Sequence, residues 1–254
     1  MTSRNEPSDQ ETAAHPLIAS GFCPLTLTKE RIISICDKPK VNPLDLNRII
    51  HLDPALFCET LFAFKYFFPE WKGEYLPIAK IITVLHLNTV RNYIKRLALN
   101  ASSLTVEAKK KQENFFKLTF ARAYASRILG EEAGVAEEKL QYYYAAGLLF
   151  DFRELYPGAA YIDAVKFSEM WDFCAVLRDA LVYKDDYKNY SGKYRRLLRT
   201  ATAADALARD AVFGEKTDHG VFDSLRLNAG SLDGIKKTVT TGLEAQLDFI
   251  RRTA

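Results

Sequence analysis

Turn-forming residues are scarce in this chain. Twelve glycines and nine prolines are spread over 254 residues, well below the usual ~12%. Few breakers mean few tight turns, which leans away from an all-β sandwich or barrel. No run reaches the ~18 consecutive apolar residues of a membrane span. An excess of one charge is also missing: 35 Lys and Arg stand against 32 Asp and Glu, a net of +3. That excludes a polybasic nucleic-acid arm or an acidic tail as the dominant feature. The four cysteines, Cys23, Cys36, Cys58 and Cys174, form no CxxC pair and share no zinc-ligand spacing. They read as small buried hydrophobes in a reducing compartment. Only four histidines occur, none of them between His86 and His219. A glycine-rich phosphate loop, a G-x-S-x-G elbow and an H-E-x-x-H pair are all lacking.

Apolar residues, at 48% of the chain, are plentiful enough to exclude wholesale disorder. A chain of this length buries roughly 70–75% of its unfolded surface and needs no disulfide or metal staple. Residues 1–21 lack apolar periodicity and read as a flexible tail. The first fourteen are polar and acidic, without the basic start and apolar run of a signal peptide, so the expected compartment is the cytoplasm.

From there on, helical punctuation recurs. Thr28 is read as the cap of a helix carrying Ile32, Ile33 and Ile35. Asn42-Pro43 and Asp53-Pro54 each place a capping side chain before a proline at the first helical position. The helix after Asp53 carries Leu56, Phe57, Leu61, Phe64 and Phe68 at spacings of three and four. Pro77 opens a helix with Ile78, Ile81, Ile82 and Leu85, and Asn88 is read as the cap of the next. A charged stretch, residues 107–113, leads into a long helix with Phe116, Phe120, Ala123 and Ile128 that breaks at Gly134. The next runs over residues 137–149. Tyr156-Pro157-Gly158 marks a turn. One helix with Val165, Trp171, Cys174 and Leu181 follows, then a polar loop at 184–190, a helix over about 191–213, and a last helix capped by Ser231. No alternating strand and no internal repeat is visible. The expectation is an all-α chain of two helical subdomains, about 22–104 and 105–254, meeting near residues 100–106.

Three strings in this frame resemble one family. Ile49-Ile50-His51-Leu52-Asp53-Pro54-Ala55-Leu56 is similar to the "I-x-x-DPAL" segment of the HDOD family, the HD-related output domains of bacterial signalling. PIAKIITVLHLNTVRN, residues 77–92, resembles its "SIxxAIxxLGLxTLRN", and AGLLFDF, residues 146–152, resembles its "AGLLHDIG". Order and spacing match, and the helical outline covers roughly Leu17 to the C-terminus. The resemblance implies a multi-helical HDOD-like domain, in a family regarded as having lost the hydrolase activity of its HD-domain relatives.

The departures bear directly on chemistry. The HD signature needs an adjacent His-Asp pair whose imidazole and carboxylate ligate a divalent metal, completed by histidines from neighbouring helices. Asp151 stands, but Phe150 occupies the histidine position, and a phenyl ring has no lone pair to donate. The family's upstream "WRHS" aligns with Phe116-Lys117-Leu118-Thr119, so that histidine is Leu118. Leu118, Phe150 and Asp151 therefore mark degenerate HD positions, with no catalytic residue, metal or cofactor expected. Phe150 is expected to be buried, and Asp151 to be paired with Arg153 or another base, or to cap a helix. The family's Asn-Ser pair reads Lys65-Tyr66, its "LGL" glycine is His86, and the glycine after "HDI" is Arg153, which changes local packing rather than fold.

Aromatic residues crowd residues 57–71. Phe57, Phe64 and Phe68 share one helical face and read as core. Phe62, Tyr66 and Trp71, together with Tyr142 and Tyr143 of a three-tyrosine run, are candidates for a partner surface. Lys109–Lys111 and Arg195, Arg196 and Arg199 read as solvated helix faces, so nucleic acid is not an expected partner. The preferred function is a non-enzymatic bacterial signalling or regulatory module that binds a protein partner or a small ligand, a nucleotide among the candidates. The alternative is an atypical metal-dependent HD phosphohydrolase acting on a nucleotide or cyclic dinucleotide.

Overall fold

A capping side chain followed by proline sets the first half of the fold. Asn42 accepts a hydrogen bond from the Leu44 amide at 3.0 Å, and Asp53 accepts from Ala55 and Leu56 at 2.9 and 3.2 Å. These bonds satisfy orphan donors at the starts of α2 (Pro43–Leu52) and α3 (Pro54–Phe67). The computed structural model describes residues 26–71, 73, 75–100, 106–155, 163–216, 219–225 and 229–252. The expected tail, Cys23 and the Tyr156-Pro157-Gly158 turn lie outside the described residues. Helix α1 (Thr26–Asp37) precedes α2, and α4 (Ile78–Leu85) and α5 (Leu87–Asn100) complete the first half.

The second half consists of α6 (Val106–Glu132), α7 (Glu137–Leu149), α8 (Ala164–Met170), α9 (Ala175–Val182), α10 (Arg195–Phe213) and α11 (Ala229–Arg251), with short 3-10 turns at Phe152–Leu155, His219–Val221 and Asp223–Leu225. The described residues are all-helical and contain no strand. No helix among them is long and apolar enough to cross a membrane.

Helix α6 is the axis of the molecule, about 40 Å long at 1.5 Å per residue. It packs most heavily on α7 and α10, and also touches α11 and α1. From Leu118 to Ala123 every side chain is buried, because neighbours surround the helix on all sides. Its contact with α7 is unusually close. A Cβ on Gly147 of α7 would lie 2.8 Å from both the Ala123 Cα and the Arg122 carbonyl oxygen, so only glycine lets α7 approach α6 so closely. One hydrophobic cluster runs from Ile32 and Leu46 through Phe116 and Leu148 to Ile250, joining the two halves. A second fills the space between α6, α10 and α11 with Leu118, Ala203, Leu207 and Val239. Cys36 and Cys58 are buried free thiols and Cys174 is half-buried.

Several helix boundaries differ from the sequence expectation, each for a tertiary reason. Thr28 is not a cap: it lies inside α1, and its hydroxyl donates to the buried Asp53 carboxylate. Asn88 and Ser231 likewise fall inside α5 and α11. The charged stretch 107–113 is already helical, forming the exposed first turns of α6. The segment expected as one helix from Val165 to Leu181 is two, because Asp172 takes a φ of 47° after Trp171 and turns the chain. Residues 191–194 form a turn, so α10 starts only at Arg195. Between α4 and α5, His86 sits at φ 66° and ψ 139°, a backbone region that favours glycine. The HDOD pattern that residues 77–92 resemble has glycine at that position. The break after α6 is as expected: Gly134 adopts φ 71°, and the Val135 amide donates to Gly130 at 2.9 Å, a left-handed C-cap.

Candidate functional site

The end of α7 delivers Phe150 and Asp151 into the interior. Leu148 and Leu149 are buried at 0% and 1% exposure, which carries the chain inward, and Phe150 and Asp151 remain 7% and 6% exposed. Facing them is Arg122 of α6, a completely buried arginine. Its Nη2 meets the Asp151 carboxylate, and its Nε donates to Asp205 of α10 at 2.7 Å. Lys184, in the loop after α9, donates to the other Asp151 oxygen at 2.7 Å. Arg209 donates to the other Asp205 oxygen at 3.0 Å. The Phe150 ring faces both Asp151 cations, 4.9 Å from the Arg122 guanidinium carbon and 5.3 Å from Lys184 Nζ, within cation–π range.

Two carboxylates and three cations thus form one alternating network. Burial pushes the Asp151 carboxyl up, but the Arg122 and Lys184 charges outweigh it and hold it below the usual carboxylate range. Arg122 Nη1 is buried without a hydrogen-bond partner among the described residues. Asp151 is thus paired with other bases, Arg122 and Lys184, rather than with its near neighbour Arg153.

A divalent metal does not fit this donor set. Both Asp151 oxygens are held by cations, Phe150 offers no lone pair, and a guanidinium fills the space beside the carboxylates. Among the described residues no group of three or more His, Cys, Asp or Glu side chains could hold a metal ion. Leu118, 8% exposed, lies one turn before Arg122 on α6 and packs in the second cluster, apart from Phe150. The residues that sequence reasoning missed are Arg122, Asp205, Lys184 and Arg209. Arg122 carried a readable signal, a lone arginine in the otherwise uncharged run LTFARAYAS, and Asp205 another in ATAADALA. A single charge on a helix buried all round requires an opposite charge from a neighbour.

The aromatic candidates divide. Tyr66 and Trp71 are 47% and 40% exposed. Phe62 is half-buried, edge-on to Trp171 at 6.3 Å. Phe68, expected in the core, is 39% exposed and only stacks on Phe64 at 5.1 Å, because α3 ends at Phe67. Tyr143 is corrected outright: at 6% exposure it belongs to the core and offers no ring to a partner. Tyr142 is half-buried against Tyr75 at 5.5 Å. Tyr144 donates to the His51 carbonyl at 2.9 Å. Neighbours on several sides of α7 take up all three tyrosines.

The fold has a counterpart among solved structures. The crystal structure of the MmoQ response regulator from Methylococcus capsulatus str. Bath superposes with a TM-score of 0.68 at 18% identity, covering 86% of this chain and 99% of that one. At that identity the likeness establishes a common fold. No protein-family profile and no curated protein matches the chain.

Proposed function

We propose that this chain is a non-enzymatic signal-transduction module of the HDOD kind, bacterial and cytoplasmic, which acts by binding a protein partner or a small ligand. The observation that carries the reading is the Arg122 guanidinium. It stands against Asp151, where the HD resemblance calls for a metal, and Lys184 takes the remaining carboxylate oxygen. A carboxylate whose two oxygens are each held by a fixed cation is already neutralised, and a metal ion would have to displace a guanidinium or an ammonium group to approach it. The fold shared with a protein described as a response regulator supports a signalling role. The exposed Tyr66 and Trp71 are the aromatic candidates for the partner surface.

The test is a phosphoesterase assay with manganese or iron added, using a generic phosphodiester and a cyclic dinucleotide. Wild type is expected to be inactive. Phe150→His, which rebuilds the His-Asp pair on paper, is expected to be inactive too, since Arg122 and Lys184 still hold Asp151. Metal-dependent turnover by wild type, abolished by Asp151→Ala, would overturn the reading in favour of a phosphohydrolase. Turnover by Phe150→His alone would leave the wild-type reading standing and refute the role given to Arg122.

A further inference from the structure

Where α2 of the first half faces α6, α7 and α11 of the second, a cleft of about 430 Å³ opens. We propose that it binds a small organic anion bearing a planar, hydrogen-bonding ring, the chemical class of the nucleoside monophosphates. This deepens the small-ligand branch of the function above and rests on it.

The volume lies within the ~300–1,000 Å³ range of small-molecule sites. Leu52, Phe120 and Leu140, each nearly fully buried, supply apolar surface. Tyr124, stacked on Phe120 with centroids 5.8 Å apart, supplies an aromatic wall. These suit a flat ring.

The polar groups are complementary to such a ring. Asn47 lines the cleft, and its side-chain oxygen is buried with no donor among the described residues. A buried acceptor left unpaired is costly, and a ring N–H or amino group would satisfy it. His51 Nδ1 lies 2.9 Å from the Asn47 carbonyl oxygen. Burial lowers the His51 pKa, so the ring is neutral. Its one proton is therefore on Nδ1, which leaves Nε2 as a second acceptor. Gln246 uses its carbonyl oxygen to accept from Arg48 Nε at 2.7 Å, so its amide NH2 remains a donor.

Charge selects an anion. Arg48 and Arg127 border the cleft against a single acid, Glu137. Arg127 bonds Glu137 through Nη2 at 3.2 Å, and both side chains are well exposed. An incoming phosphate or carboxylate therefore meets a guanidinium with N–H groups to spare. Because α2 and α6 belong to different halves, a ligand touching both would favour one arrangement of the halves, as a signalling module requires.

The experiment is isothermal titration of the full chain with AMP and GMP, with adenosine and inorganic phosphate as partial probes. Saturable single-site binding of at least one nucleotide is expected, about tenfold or more weaker for each partial probe. Arg127→Gln and Asn47→Ala are each expected to weaken it about tenfold. Arg127→Gln serves as the folding-safe variant, since this half-exposed side chain holds only a surface pair. No saturable binding of either nucleotide up to about 5 mM would overturn the proposal. So would binding that both variants leave unchanged, or phosphate bound as tightly as the nucleotides. None of these outcomes touches the Arg122 argument, which the phosphoesterase assay tests separately.

Discussion

Replacing Arg122 by methionine removes the central cation of the buried network while keeping an unbranched apolar side chain on α6. Asp151 would keep Lys184, and Asp205 would keep Arg209. Each carboxylate loses its shared and most deeply buried partner, since the Arg122 side chain is 0% exposed. Removing one member of a buried ion pair costs ~3–5 kcal/mol, because the remaining charge stays in a low-dielectric site with less compensation. For a chain of this size that lowers the thermal midpoint by roughly 6–20 °C. The cost also depends on pH, and its sign follows from the carboxyl groups. In wild type the folded Asp151 pKa lies below its ordinary value of 3.8. Its stabilisation is therefore present above that value and is lost as pH falls through the folded pKa. In the variant the lowering effect of Arg122 is gone while that of Lys184 remains, so the folded pKa lies above its wild-type position and less of this stabilisation is present at neutral pH. Urea denaturation followed by circular dichroism, at about pH 7 and about pH 4, should give a wider gap between the two proteins at the higher pH. Adding Asp151→Asn and Asp205→Asn to the variant should recover part of the loss. A loss below about 1 kcal/mol, equal at both pH values, would refute the network as a buried electrostatic unit.

Three further outcomes follow from single residues. Gly147→Ala should destabilise by about 1–3 kcal/mol in the same assay, since the added methyl would collide with α6 backbone rather than with a side chain able to move aside. His86→Gly should raise the thermal midpoint by about 2–4 °C by relieving the positive φ, whereas His86→Ala, which keeps the Cβ, should not. Glu59 is buried, and burial pushes its carboxyl from 4.5 up to about 8, against a smaller opposing effect of the hydrogen bond from Tyr93. The stabilisation from its protonated form is full below 4.5 and is lost as pH rises toward about 8. Glu59→Gln should flatten the fall in stability across that window, and parallel wild-type and variant curves would refute the assignment.

The chain's own local chemistry determined the helices and many of their ends. Asn42-Pro43 and Asp53-Pro54 act within a few residues, so their caps needed no tertiary partner to be legible. The same holds for the span Glu137–Leu149 and the stop at Gly134. The burial of Phe150 was legible as well, from the inward-facing position that the family resemblance gives it, next to Leu148 and Leu149. Tertiary structure decided the rest, where a side chain had local and distant partners to choose between. Thr28 has the chemistry of a cap, yet its hydroxyl serves Asp53 twenty-five residues away. Asp151 had a nearby arginine at 153, but the close approach of α7 to α6 at Gly147 delivers it to Arg122 and Lys184. Tyr143 resembled its two neighbours, and only the packing around α7 settled that it is buried. A hydrogen bond or ion pair forms with whichever partner the fold brings within reach at the least desolvation cost, and sequence separation does not enter that choice.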